Sequence, residues 1–81
     1  MVNYVYILRS FKDNKRYIGL TNNLEKRLSQ HNSGKVIATR NRKPFELIYF
    51  EKFGNRTEAA QREKFFKTGK GRELLNNKNA K

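Results

Sequence analysis

Apolar and polar positions alternate in three short runs, and the runs between and after them have helical spacing. Asn3 to Ser10 (N-Y-V-Y-I-L-R-S) puts Tyr4, Tyr6 and Leu8 on one face of an extended chain and Val5 and Ile7 on the other. Side chains alternate across a strand, so apolar residues on both faces predict a central strand covered from each side. Phe11 to Lys15 supplies a turn in which Asp13-Asn14 tolerates the left-handed backbone that a tight hairpin needs. K-R-Y-I-G-L, ending at Leu20, reads as the second strand. A loop with an even number of residues pairs odd positions with even ones, so Tyr17, Gly19 and Thr21 share a face with Tyr4, Tyr6 and Leu8.

Thr21-Asn22-Asn23 offers N-cap residues for a helix over Asn23 to Asn32 (N-L-E-K-R-L-S-Q-H-N), and Gly34 is a natural C-cap. At ~100° per residue, Leu24, Arg27, Leu28 and His31 fall in one arc, with Glu25, Lys26, Ser29 and Gln30 outside it. Lys35 to Pro44 is a basic loop. Proline cannot donate to a ladder, so the third strand is expected just after Pro44, over Glu46 to Phe53. Gly54-Asn55 ends it. Asn55 and Glu58 are spaced as a capping-box variant, opening a helix to about Lys67 on which Ala59, Glu63 and Phe66 cluster. Thr68-Gly69-Lys70-Gly71 should break that helix, Arg72 to Asn77 should form a short last one, and Asn77 to Lys81 should fray. The whole predicts one α+β domain over residues 1–81, a three-stranded antiparallel sheet flanked by helices in the order β-β-α-β-α plus the short last helix.

Charge narrows the function. Nineteen Lys and Arg against seven Asp and Glu give a net charge of +12 on 81 residues. Such a field attracts polyanions, and nucleic acid is the expected partner. A membrane is not expected as partner, since no long amphipathic helix with a bulky apolar face is apparent and no run approaches the ~20 apolar residues needed to cross a bilayer. No signal peptide is expected, and the absence of cysteine excludes disulfides and thiolate metal sites, so a reducing cytoplasm is the expected location. Arg40, Arg42 and Lys43 in the loop, with Lys35, Lys67, Lys70 and Arg72, are the candidate contacts to a phosphate backbone.

The candidate chemistry lies on the inward arcs. Taken singly, Tyr6 and Tyr17 read as core residues, Arg27 as a packed stem, His31 as a helix C-terminal cation, and Glu63 as an ion-pair partner for Arg27. Together, so many polar groups facing inward in so small a chain are costly unless they serve one site. They also suit phosphodiester hydrolysis. A lone carboxylate can hold one hard divalent cation, Mg²⁺ or Mn²⁺, whose other ligands are waters and phosphate oxygens. An arginine can stabilise charge on the phosphate. A tyrosine can deprotonate water if nearby cations lower its pKa from about 10, and His31 can take up or relay the proton.

The stretch V-Y-I-L followed by R-Y-I-G-L-T-N-N-L-E-K-R-L-S-Q-H-N-S-G resembles the GIY-YIG nuclease superfamily, and most closely its small stand-alone members similar to the N-terminal nuclease domain of the bacterial excision-repair incision subunit. The similarity runs to about Leu75. Tyr4-Val5-Tyr6 stands for the first triplet, Tyr17-Ile18-Gly19 for the second, Arg27 and His31 for the helical R-x-x-x-H pair, and Glu63 for the metal-binding glutamate. The resemblance implies a divalent-metal-dependent endonuclease acting on DNA, in repair or recombination. In it Tyr6 or Tyr17 is the base, Arg27 stabilises the phosphate and His31 bonds a tyrosine or the attacking water. Tyr4 replaces the glycine of the first triplet, and Leu20 stands where the repair branch carries a lysine. The chain shows no second domain for target recognition, which leaves a place for a protein partner in targeting. The competing readings are a non-catalytic nucleic-acid-binding module that keeps the fold and a small RNA-associated basic protein.

Overall fold

A computed structural model describes residues 2–79. Strands β1 (Asn3–Ser10), β2 (Arg16–Thr21) and β3 (Phe45–Phe53) form an antiparallel sheet in the order β2-β1-β3. The strand apolar on both faces is therefore central, as the alternation predicts. Pairs such as Tyr6 with Gly19 and Leu8 with Tyr17 confirm the parity argument: both tyrosines rise from one face. Asn14 takes the left-handed conformation of the hairpin turn at φ 60°.

Helix α1 (Leu24–Asn32) covers that face, and α2 (Arg56–Phe66) with α3 (Gly69–Asn79) covers the other. Asn23 caps α1 by accepting from the Lys26 N–H at 3.1 Å, and Asn55 caps α2 by accepting from Glu58 N–H at 2.8 Å. Gly34, at φ 80°, closes α1 with its N–H on the carbonyl of His31. Under α1 lie Tyr6, Leu8 and Phe45, with Tyr17, Leu24, Leu28 and Leu47 beside them. Under α2 and α3 lie Val5, Ile7, Ala59, Phe66 and Leu75. A bulge opposite Ile7 and Leu8 inserts Ile48 into β3, so Leu47 packs beneath α1 while Ile48 and Tyr49 both pack against the opposite core.

The last helix corrects the expectation. It begins at Gly69, not Arg72, because Thr68 caps it: Gly71 N–H donates to Thr68 Oγ1 at 3.1 Å, which itself donates to the Phe65 carbonyl at 2.6 Å. Gly71 is buried, and a β-carbon there would sit 2.0 Å from the Phe65 carbonyl oxygen. This glycine lets α3 approach α2 instead of breaking a helix. The helix continues to Asn79, through the first residues of the tail expected to fray; residues 80 and 81 lie outside the described residues.

Candidate active site at the edge of the sheet

Four residues from three parts of the chain meet on the α1 face. Tyr6 rises from β1, Arg27 and His31 descend from successive turns of α1, and Thr39 comes in from the basic loop, which ends in one 3-10 turn at Arg40–Arg42. Tyr6 Oη lies 2.9 Å from His31 Nε2, and Arg27 Nε donates to Tyr6 Oη at 3.2 Å. On the far side of the imidazole, Nδ1 lies 2.7 Å from Thr39 Oγ1. Tyr6, His31 and Thr39 are buried. Arg27 holds Gln30 Oε1 with Nη1 at 3.1 Å, and its Nη2 makes no hydrogen bond among the described residues.

Valence orients the chain of bonds. The Tyr6 oxygen accepts from Arg27, so its own hydrogen goes to the acceptor in reach, His31 Nε2. A neutral imidazole with Nε2 as acceptor carries its hydrogen on Nδ1 and donates to Thr39. Burial, with the Arg27 charge adding to it, pushes the His31 pKa down to about 4 and keeps the ring neutral at neutral pH. His31 is therefore no helix-terminal cation. Burial also raises the Tyr6 pKa, and this outweighs the hydrogen bond and charge of Arg27, which pull it down; the charges of Tyr17 and Glu63 add to the rise. The condition that nearby cations lower this phenol is not met: Arg27 is in place, but desolvation wins.

Tyr17 stands half-buried on β2, its ring 5.0 Å from that of His31 and 6.4 Å from that of Tyr6. Its hydroxyl makes no hydrogen bond among the described residues. Gly19 is the opening between them. A β-carbon on Gly19 would fall 2.3 Å from Tyr6 Oη, so only glycine lets the phenol reach across to the edge strand.

Glu63 approaches from the other layer. It is half-buried on α2, and its charge acts on Tyr6. Its ion pair is with Lys67 Nζ at 3.4 Å, not with Arg27. Among the described residues no three of His, Asp and Glu converge. A single carboxylate such as that of Glu63 could hold a hard cation that keeps most of its water.

The expected phosphate contacts separate. Lys35, Arg40, Lys43, Lys67, Lys70 and Arg72 are exposed. Arg40 also donates from Nε to the Gly34 carbonyl at 3.2 Å. Arg42 is half-buried, pairs with Asp13 at 2.8 Å and lies over the Phe45 ring, so it ties the loop to the hairpin. A hydrogen bond from the Lys15 N–H, with the Arg42 bond second, holds the Asp13 carboxyl down at about 2. Thr39 is the participant that the sequence reading missed. Its only signal was its position a few residues beyond Gly34, in a loop whose path no periodicity reveals.

A similar protein carries the same fold, and others share the sequence. The solution NMR structure of the UPF0213 protein BH0048 from Bacillus halodurans superimposes with a TM-score of 0.60 at 35% identity, covering 98% of this chain and 86% of that one. The UPF0213 protein CPE1444 of Clostridium perfringens is 52% identical over 67 residues, 82% of this chain and 71% of its own length. YazA of Bacillus subtilis, also a UPF0213 protein, is 44% identical over 75 residues, 89% of this chain and 76% of its own. No described helix is long and apolar enough to cross a membrane. The family model described as the GIY-YIG catalytic domain matches residues 2–79, and with the two tyrosines, Arg27 and His31 gathered on one face of the sheet the chain belongs to that family.

Proposed function

We propose that this protein is a divalent-metal-dependent endonuclease that hydrolyses DNA phosphodiester bonds, serving repair or recombination. The observation that carries the reading is the buried Tyr6 hydroxyl, held between the guanidinium of Arg27 and a neutral His31 that can accept its proton. A bound Mg²⁺ or Mn²⁺ would polarise the phosphate and acidify a water. The Glu63 carboxylate would hold it.

The chain's own groups divide the remaining work. Tyr6 accepts the proton of the attacking water while its own passes to His31 Nε2, and Thr39 steadies the Nδ1–H of the ring. Tyr6 is preferred to Tyr17 as base because, among the described residues, it alone of the two has an acceptor for the proton it must shed. Tyr17, with its free hydroxyl beside the edge strand, orients water or phosphate. Arg27 offers Nη2 to the phosphate as charge develops there. The water oxygen bonds to phosphorus, one ester P–O bond breaks, and the leaving oxygen is protonated from solvent.

The test is cleavage of labelled single-stranded, duplex and branched DNA with Mg²⁺, with Mn²⁺ and with chelator, comparing wild type and Glu63→Gln. Metal-dependent cutting by wild type that falls by more than about 10³-fold in the variant, with DNA affinity retained, is the expected result. Salt-sensitive binding by both proteins with no cutting of any substrate would make this a binding module. Tight RNA binding indifferent to Tyr6, Arg27 and Glu63 would make it an RNA-associated protein.

A further inference from the structure

The edge strand β2 separates two basic clefts. Arg16, Tyr17 and Ile18 line the larger, of about 730 Å³, and Leu20 and Thr21 line the smaller, of about 300 Å³. Gly19, over which the Tyr6 hydroxyl sits, lies between them. Helix α2 repeats the order: Arg56 at its start lines the smaller cleft, Lys67 just beyond its end lines the larger, and Glu63 falls between. The smaller cleft holds Arg27 and belongs to the site already described.

The larger cleft does not. Among the described residues, the cations Arg9, Lys15, Arg16, Lys67 and Arg72 surround it and no acid lines it. Arg9 is paired with Glu46, and Lys67 with Glu63. Lys15, Arg16 and Arg72 have no side-chain partner among the described residues. Three unneutralised cations over an apolar floor of Ile18 and Ile48, with the Tyr17 ring at the rim, suit a phosphate together with the sugar or base attached to it. Two residues join the cleft to the catalytic centre: Tyr17 lines it while its ring meets His31, and Lys67 lines it while its amine meets Glu63. From Arg16 to Gly19 is about 10 Å along the strand, a separation of a few nucleotides.

We propose that the larger cleft is a second nucleic-acid subsite, which binds a nucleotide of the same strand as the scissile phosphate through Lys15, Arg16 and Arg72. The strand follows the edge of β2, and the cleft sets its register over Gly19. The catalytic part of this proposal rests on the nuclease reading; the binding part does not.

The experiment uses a labelled single-stranded oligonucleotide. Its binding in chelator is followed by fluorescence anisotropy across salt concentrations, and its cleavage is followed with Mn²⁺. The cleft double variant Lys15→Gln/Arg72→Gln is compared with Lys52→Gln/Lys64→Gln, which removes the same charge from exposed positions on β3 and α2 outside both clefts. The cleft variant is expected to lose about tenfold in affinity at low salt and roughly 1.4 units of the log–log salt slope, about 0.7 for each phosphate contact. Its KM for cleavage should rise with kcat within about twofold, as loss of ground-state binding requires. The control should change affinity by no more than about twofold.

Equal losses in the two doubles would overturn the subsite, because net charge alone would then explain them. Unchanged binding and KM in the cleft variant would overturn it while leaving wild-type cleavage, and so the nuclease reading, intact. Binding that depends on the cleft in a wild type that never cuts would keep the subsite and sink the nuclease. Should the double variant melt early in circular dichroism, Arg16→Gln alone is read by the same criteria, with half the slope change expected.

Discussion

Each face of the sheet holds a half-buried arginine bonded into a group that includes a tyrosine, and the two are engaged differently. On the α2 face Arg62 gives Nε and Nη2 to the two oxygens of Glu51, at 2.7 and 3.1 Å, and its guanidinium lies 4.5 Å from the centre of the Phe66 ring. Tyr49 joins the same carboxylate, and its pKa rises to about 12 through burial first and that bond second. The group is closed, a fork on a fork, and it stabilises packing. On the α1 face Arg27 has no carboxylate partner among the described residues; it gives Nε to a tyrosine and Nη1 to a glutamine, and keeps Nη2. A half-buried cation with a donor to spare beside the Tyr–His–Thr chain is what the proposed reaction asks for, since it can take an anion from outside. Under the proposed function, the same residue types serve packing on one face and chemistry on the other.

The largest effect expected from breaking this division is on the closed face. Phe66→Ala should cost about 3–5 kcal/mol, much of the stability of a chain this short, while the activity of each folded molecule changes little. Urea unfolding beside active-site titration checks both halves. Tyr6→Phe should do the reverse: cleavage should fall by about 10²–10⁴-fold, and stability by no more than about 1–3 kcal/mol for His31 and Arg27 losing a partner. Tyr17→Phe assayed in parallel sharpens the assignment, because a greater loss there would move the base to Tyr17.

Gly19→Ala tests the opening on the edge strand. A methyl group 2.3 Å from Tyr6 Oη must displace the hydroxyl, so turnover should fall by about tenfold or more without the broad loss of stability seen for Phe66→Ala. The mildest effect is in pH. His31 binds a proton near 6.5 when unfolded and only near 4 when folded, so the unfolded chain holds more protons between these values. Stability should therefore decline as pH falls from about 6.5 to about 4. His31→Gln should remove that part of the slope, and the difference between the two unfolding curves across the window isolates it.

Local signals in the sequence decided much of the fold. Alternation on both faces of Tyr4 to Leu8 made β1 central, loop parity put Tyr6 and Tyr17 on one face, and the helical spacing of Arg27 and His31 turned both toward the leucines. These follow from the periods of strand and helix, which act over a few residues. The same periods misread Gly69 and Gly71, because a glycine that breaks an isolated helix also admits a neighbouring one, and only the contact with Phe65 distinguishes the two.

The site itself was legible as a set of residues and not as a mechanism. The tautomer of His31 depends on Thr39, which a loop of no regular period delivers. The sign of the Tyr6 shift depends on how much water α1 excludes, a quantity set by packing and not by the presence of Arg27. The basic cleft draws Lys15 and Arg16 from the hairpin and Lys67 and Arg72 from either side of the turn between α2 and α3, so no segment contains it. Charge, period and capping are properties of neighbours along the chain; desolvation, proton direction and the convergence of distant cations exist only once the chain has closed.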